Sequence, residues 1–209
     1  MAIKTIGTQK WSDTNLDVQT FQDGTPIAEI SSSEQWTEYA DANIPGWSYY
    51  EFDSSNGDLY GKLYNWYAVS QSSAICPIGF RIPTEADYST LVTYLGGIDP
   101  AGYKMKNREY WLTLGRTSGN GSNESNFKAN PGGYIKSATA EFWDLGWSSN
   151  FWTQTTASAS EIISKRLYWS NRKCISVDAP IDMGLSVRLI CTGSSQNCSD
   201  GDFDITNMF

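Results

Sequence analysis

The chain has 209 residues, a formal net charge of −8, no histidine, and nine tryptophans, twelve tyrosines and eight phenylalanines. A protein that binds duplex nucleic acid or an anionic membrane surface needs a basic footprint, so this composition disfavours both partners. The lack of histidine excludes Ser-His-Asp and Cys-His nucleophile systems and histidine-ligated zinc. The many rigid aromatic side chains suit cores and contact surfaces.

The N-terminal segment, MAIKTIGTQKW, contains no apolar signal-peptide core, and no apolar stretch approaches the ~20 residues that span a bilayer. We therefore expect no membrane insertion. The pattern indicates a protein that is made without secretion. A secreted or cell-surface protein whose leader was removed is the alternative.

The first part of the chain predicts short strands followed by a helix. Residues 2–21 contain β-like runs, and Asp-Gly at 23–24 is a hairpin signal. A serine capping box and a shared apolar face predict a short helix over 31–42.

Two further helices are predicted before residue 98. Asp58 is placed to cap a helix over 59–70, because apolar residues recur there with helical spacing. Thr84 is a favourable N-cap for a helix that runs to Leu95 and ends at Gly-Gly.

Residues 100–160 lose helical periodicity and are rich in Asn, Ser, Gly and Trp, which is typical of functional loops or short strands. β patterns return in three segments, 161–169, 173–177 and 184–191. We interpret 1–191 as one α+β domain with two core helices and small antiparallel sheets. The acidic tail, 192–209, is either a docking arm or frayed.

The four cysteines are Cys76, Cys174, Cys191 and Cys198, and no CxxC motif occurs. Cys76 and Cys191 each lie beside an apolar run and could form a buried disulfide. Buried free thiols, which behave as small apolar groups, are the alternative.

Aromatic residues cluster over 142–155, where an exposed binding platform and a set of core side chains are both conceivable. We expect Trp143 and Trp152 to be core residues. Trp147 and Asn150 lie between them and are the better candidates for a ligand-binding surface.

A second candidate surface lies in residues 108–126, where Tyr and Trp occur among Ser, Gly and Asn. Such a mixture makes an adaptable recognition surface. A solvated loop with one buried Trp explains the segment equally well. The candidate ligand-binding residues are Arg108, Tyr110, Arg116, Asn120 and Asn123.

Two acidic stretches, 51–58 and 199–204, offer oxygen ligands at the short spacing that calcium requires. The candidate ligands are Asp53, Asp58, Asp200 and Asp202. Neither stretch completes an EF-hand loop, and the lectin-type Glu-Pro-Asn motif is absent. Solvated acidic loops are the favoured explanation, so we expect no cofactor, with calcium as the alternative.

Six motifs follow one another along the chain: IGTQKWSDTNL (6–16), LYGKLYNWYAV (59–69), CPIGFRIPTEADYSTL (76–91), SNFKANPGGY (125–134), FWDLGWSSNFWTQT (142–155) and GLSVRLIC (184–191). Together they resemble the Fibrobacter succinogenes major paralogous domain, which is widespread in Bacteroidetes-type bacteria. The resemblance covers about residues 3–191.

The resemblance implies a C-type-lectin-like fold, shared with the formylglycine-generating enzyme class and with variable receptor-binding proteins of some phages. The segment RIPTEADY is similar to RLPTEAEW of the enzyme class. In such a fold the helix after Thr84 is a scaffold, the N- and C-terminal strands pair, and the long loop region displays the ligand surface. The missing leader and the acidic extension after Cys191 depart from the family pattern, and both suit assembly onto a larger particle.

Three functions follow from the resemblance. The favoured one is a non-enzymatic module that presents residues 105–155 to a surface glycan or protein ligand, on a virion, particle or cell surface. The second is a structural accessory virion protein that contacts only its assembly partners. The third is a diverged formylglycine-generating enzyme, which is disfavoured because no pair of loop cysteines matches the catalytic pair of that class. Homo-oligomerisation is left open.

Overall fold

The fold combines short helices with several small, open sheets, as the α+β interpretation predicts. A computed structural model describes residues 1–193 and 201–202. The strands are β1 (Ala2–Ile6), β2 (Gln9–Ser12), β3 (Ala28–Glu29), β4 (Gly46–Ser48), β5 (Leu63–Tyr64), β6 (Phe80–Arg81), β7 (Thr113–Leu114), β8 (Thr117–Ser118), β9 (Gly132–Ile135), β10 (Phe142–Leu145), β11 (Ser148–Phe151), β12 (Glu161–Tyr168), β13 (Cys174–Pro180), β14 (Ile190–Cys191) and β15 (Gly201–Asp202). The helices are α1 (Ser33–Asp41), α2 (Gly57–Tyr60), α3 (Trp66–Val69), α4 (Ser72–Ile75), α5 (Glu85–Tyr94) and α6 (Ile98–Met105), and 3-10 turns span Tyr50–Phe52 and Ser54–Asn56.

The first sheet joins the two ends of the described chain. Its strand order is β15-β1-β2-β14-β6, and all its pairs are antiparallel. Ile190 of β14 lies opposite Trp11 of β2, so the predicted pairing of N- and C-terminal strands is confirmed. Gly201 and Asp202 of the tail pair with β1.

The second sheet carries much of the region between residues 130 and 180. Its order is β10-β9-β11-β12-β13, with β9 and β11 parallel and the other pairs antiparallel. The predicted strands over 161–169 and 173–177 correspond to β12 and β13. A small sheet, β3-β4-β5, and the β7-β8 hairpin complete the described strands.

Helix α5 forms as predicted, and its buried face helps to build the core. The Thr84 hydroxyl accepts a hydrogen bond from the Asp87 backbone N–H, while the Asp87 side chain accepts one from the Thr84 backbone. Tyr88 is fully buried, with its ring centroid 4.9 Å from that of Trp11. The helix therefore supports the first sheet, as the scaffold interpretation expects.

The predicted helix over 59–70 is wrong. The chain instead forms α2, leaves helical geometry at Gly61 (φ 72°, ψ −157°), continues as β5 and then forms α3. Asn65 explains the restart, because its side-chain oxygen accepts hydrogen bonds from the Gly46 and Ala68 backbone N–H groups. The apolar spacing matched a helix, but long-range pairing of β5 decided the structure.

Helix α6 was missed, because Pro100 and Gly102 are helix-breaking types. Pro100 lies in the first turn, where its missing N–H costs no intrahelical bond. At Gly102 a Cβ atom would lie 2.2 Å from the Lys173 carbonyl oxygen, so glycine lets the helix pack directly on the backbone before β13. Within the described residues, no helix is long and apolar enough to cross a bilayer.

Candidate functional site

A cleft of about 620 Å³ opens between three turns that lie far apart in sequence. The walls come from residues 13–17, from 57–61 and from 107–110, and Lys128, Asn130 and Arg188 contribute from below. Most of its lining side chains are polar or aromatic. The cleft therefore presents a mainly polar and aromatic surface.

A pair of asparagines holds two walls of the cleft together. The Asn130 amide nitrogen donates to the Leu59 carbonyl (2.7 Å), and its side-chain oxygen accepts from the Asn107 amide (2.8 Å). Asn107 also receives a hydrogen bond from the Arg108 backbone N–H through its side-chain oxygen (2.7 Å). These bonds fix the spacing between the 57–61 and 107–110 turns before any ligand arrives.

Arg188 supports the base of the cleft from the core. Its guanidinium is fully buried and donates to the carbonyls of Ser12 (2.8 Å), Phe127 (2.7 Å) and Lys128 (3.0 Å). Its Nε donates to the Asn15 side-chain oxygen (2.7 Å), and the Asn15 amide in turn donates to the Tyr60 carbonyl (2.8 Å). Burial lowers the pKa of Arg188 to about 10, which still leaves the group charged at neutral pH.

Tyr110 projects into the cleft from a strained backbone. Its φ angle is 73°, a left-handed value that is unusual for a bulky residue, and its side chain is 49% exposed. Asn120 stabilises the turn, because its side-chain oxygen accepts a hydrogen bond from the Trp111 backbone N–H (3.1 Å). Strain of this kind persists where the surroundings enforce it and is concentrated at functional sites.

Tyr60 supplies a second aromatic side chain to the cleft. Burial, and to a smaller extent the nearby Tyr110, raises the pKa of Tyr60, so its hydroxyl remains a neutral donor at physiological pH. Asp58 is exposed on the same turn. The cleft thus presents two phenol rings alongside carboxylates and amides.

An ion pair anchors the third wall. Lys62 is fully buried and pairs with the half-exposed Asp17 carboxylate, while its ammonium lies 4.5 Å from the centroid of the Trp47 ring. The ammonium also donates to the Asp17 carbonyl (3.1 Å). Both contacts hold residues 13–17 against the core.

A known protein family matches nearly all of the sequence that forms the sheets and the cleft. The model of the Fibrobacter succinogenes major domain matches residues 5–191. The chain belongs to this family. Comparison with curated proteins and with solved structures gave no match.

Three of the residues singled out from the sequence of this major domain line the cleft: Arg108, Tyr110 and Asp58. Arg108 is exposed, and its Nε donates to the Ser122 carbonyl (2.8 Å). Asn120 supports the Tyr110 turn from behind. These residues meet because the 107–110 turn folds over the 57–61 turn.

Two other candidates of the major domain lie elsewhere. Arg116 is exposed in the turn between β7 and β8. Asn123 has a left-handed backbone (φ 50°), and its side-chain oxygen accepts from the Lys128 backbone N–H (2.9 Å), so it shapes a loop.

The assignments around residue 150 need correction. Asn150 is buried, because β11 lies between β9 and β12, and its side-chain oxygen accepts from Arg166 Nε (2.7 Å). Trp147 is half-buried and packs edge-on against Trp169. Trp152 is a core residue as expected, whereas Trp143 is 45% exposed, because β10 is an edge strand.

Sequence reasoning missed most of the cleft residues, among them Asn15, Tyr60, Asn107, Asn130 and Arg188. Arg188 could have been recognised from the sequence, because it is the one charged residue in the mainly apolar segment GLSVRLIC. An arginine at such a position needs internal acceptors, which points to a structured loop beside the strand.

The calcium candidates Asp53 and Asp58 lie within the matched domain, whereas Asp200 and Asp202 lie beyond residue 191. The Asp53 carboxylate accepts from the Ser55 backbone N–H (2.9 Å) and caps a 3-10 turn, and these hydrogen bonds lower its pKa. Asp200 and the side chain of Asp202 lie outside the part that the structure describes. Among the described residues, no group of three or more Cys, Asp or Glu side chains is arranged to hold a metal ion.

The predicted disulfide between Cys76 and Cys191 is wrong. Cys76 and Cys174 are free, buried thiols, whereas Cys191 is disulfide-bonded. Cys76 packs into the apolar core, while Cys191 is half-buried on β14, where it pairs with Phe80 of β6. Cys198 lies outside the described residues.

Proposed function

We propose that this chain is a non-enzymatic recognition module whose cleft binds a surface glycan. The observation that carries the proposal is the meeting of Tyr110, Tyr60 and Asp58 on one preformed, polar cleft. Phenol rings offer flat faces to the C–H surfaces of a sugar, while carboxylate and amide groups bond its hydroxyls.

We infer that the walls of the cleft move little when the glycan binds. Asn130 and Asn15 already bridge the walls, and Lys62 fixes the third wall from the core. A preorganised site loses little ordering entropy when a ligand binds. This property favours recognition of a repeating, weakly binding surface ligand.

We also propose that the chain has the C-type-lectin-like fold that its motifs suggest. The pairing of β2 with β14 and the capped helix α5 beside that sheet support the assignment. Within this proposal the cleft-forming turns at 57–61 and 107–110 are displayed by the scaffold.

The buried thiols support a binding role over the chemistry of the formylglycine-generating class. Burial raises the pKa of both Cys76 and Cys174 to about 12. A thiol acts as a nucleophile through its thiolate, which these environments suppress.

A glycan array with a matched pair of variants tests the proposal. Tyr110→Ala removes an exposed ring in the cleft, and Trp143→Ala removes a similarly exposed ring outside it. We expect Tyr110→Ala to weaken binding to the best glycan about tenfold, the effect of losing one aromatic contact, and Trp143→Ala to have less than about a twofold effect. Failure of the wild type to bind any glycan, or equal losses in both variants, would contradict the proposal.

A further inference from the structure

A second cavity, of about 350 Å³, lies between α5, the start of α6 and the strands β12 and β13. It shares no lining residue with the cleft. One end is polar, with Glu85, Lys165 and Ser176, and the mouth is apolar, with Ile98 and Ile175. The cavity therefore combines a hydrogen-bonding end with a hydrophobic opening.

The polar end is organised around one oxygen of Glu85. Lys165, whose side chain is only 5% exposed, donates from Nζ to Glu85 Oε1 (2.8 Å) and to the Ser176 hydroxyl (2.9 Å). The Ser176 hydroxyl donates to the same Glu85 oxygen (2.9 Å). The three side chains form a closed triangle that holds the Glu85 carboxylate in place.

The other carboxylate oxygen, Glu85 Oε2, is buried and makes no hydrogen bond with any described residue. A buried carboxylate oxygen normally has a donor, so this atom indicates a missing one. Glu85 lines the cavity, so a molecule bound there is a suitable source of that donor.

The charges at the polar end favour an uncharged donor. Lys165 already neutralises Glu85, so a ligand ammonium would be repelled by the Lys165 ammonium, and a ligand carboxylate would bring no donor to Glu85 Oε2. A carboxamide N–H donates without adding charge. At the mouth, Ile98 is 58% exposed and Ile175 is also exposed, so both can cover an aliphatic stem.

We propose that this cavity binds an aliphatic chain that ends in a carboxamide, as in a glutamine side chain of a partner polypeptide. The carboxamide N–H bonds Glu85 Oε2, and the stem packs between Ile98 and Ile175. The site is independent of the glycan cleft, and a Tyr110→Ala variant retains it.

Titration with three small probes, followed by protein NMR, tests the proposal. We expect butyramide to shift the resonances of Ile98, Ile175 and Ser176 in a saturable manner. Butylamine should bind at least about threefold more weakly because of repulsion by Lys165, and butyrate should cause no saturable shift.

Two variants provide the control. Ile98→Ser should weaken butyramide binding about fivefold through loss of apolar contact. Ile44→Ser, which changes an isoleucine that is 41% exposed outside this cavity, should leave binding unchanged. The proposal is overturned if butyramide gives no saturable shift, if butylamine binds as tightly, or if both variants behave alike.

Discussion

Arg188 places a positive charge in the core without a carboxylate partner. The ion pairs within the described residues do not include it. Its guanidinium is satisfied by three backbone carbonyls and Asn15, and it lies 4.5 Å from the centroid of the Phe127 ring. The planar fork of arginine suits this arrangement, because its donors reach several fixed acceptors at once.

Replacement of Arg188 should therefore destabilise the fold strongly. We expect Arg188→Met to lower the free energy of unfolding by about 3 kcal/mol, because carbonyls of Ser12 and Phe127 lose their donors in the core. Arg172→Met, at an exposed arginine stacked on Tyr103, should cost less than about 1 kcal/mol. Urea unfolding measures both values, and equal costs would refute the structural role of Arg188.

At the level of single residues, sequence reasoning named part of the candidate site and misjudged the exposure of other residues. Arg108 and Tyr110 were found because aromatic and polar types cluster in a glycine-rich segment. Trp143 and Asn150 were assigned to the wrong environments, because residue type does not reveal whether a strand is at an edge or in the centre of a sheet. That position depends on pairing between segments far apart in sequence.

The start of α5 is an element in which local sequence signals and tertiary contacts agree. Asp87 completes the capping box and forms a bidentate pair with Arg81 (2.6 and 2.7 Å). Burial opposes ionisation of Asp87, but the hydrogen bonds from Arg81 and Thr84 outweigh it, and the pKa of Asp87 is lowered from 3.8. The ionised carboxylate therefore stabilises the helix start.

This contribution should depend on pH with a defined sign. A carboxyl group whose pKa is lower in the folded than in the unfolded state stabilises the fold above the unfolded value and loses that effect as pH falls through the folded value. Because Arg81 is partly exposed, we expect Asp87→Asn to cost about 1–2 kcal/mol near pH 7 and less near pH 3.

Denaturant unfolding of Asp87→Asn at the two pH values measures the difference. Asp41→Asn, at the exposed last residue of α1, is the control and should show little effect at either pH. A cost for Asp87→Asn that stays constant with pH would argue against stabilisation by the ionised form.

The helices also show why some secondary-structure elements were predicted correctly and others were not. Helices α1 and α5 each have an N-cap side chain that accepts a backbone hydrogen bond, and both were predicted. The 59–70 segment has helical spacing, but it is interrupted at Gly61, and α6 contains a proline and a glycine whose contacts make them acceptable. In both failures a contact with a distant segment overrode the local preference.

For the molecule as a whole, the distinction between scaffold and displayed loops is only partly right. The region over 100–160 contributes the exposed Tyr110, but it also contributes the fully buried Phe127, Phe151 and Trp152. Because this region is rich in polar residues, its short buried strands were not recognised from the sequence. The overall α+β class and the closing pair of terminal strands were predictable, because the strand patterns at the two ends are strong.

The two free thiols report on unfolding of the whole molecule. Cys76 and Cys174 are almost fully buried, in separate core clusters, and each has a pKa raised to about 12. We expect neither to be alkylated by iodoacetamide in the native protein at neutral pH, and both to react in denaturant. Intact-mass measurement counts the additions, and fast native alkylation of either cysteine would contradict the packing described for its cluster.

In the 107–110 turn, different residues support the backbone and form the exposed surface, and this separation is useful for protein engineering. Asn107 and Asn130 tie the base of the turn, whereas the Glu109 and Tyr110 side chains extend outward from it. A combinatorial library confined to Glu109, Tyr110 and Asp58 would alter the rim while leaving its supports intact. Such a library would sample many surface chemistries on an unchanged framework, with glycine or asparagine best tolerated at position 110 because of its left-handed backbone.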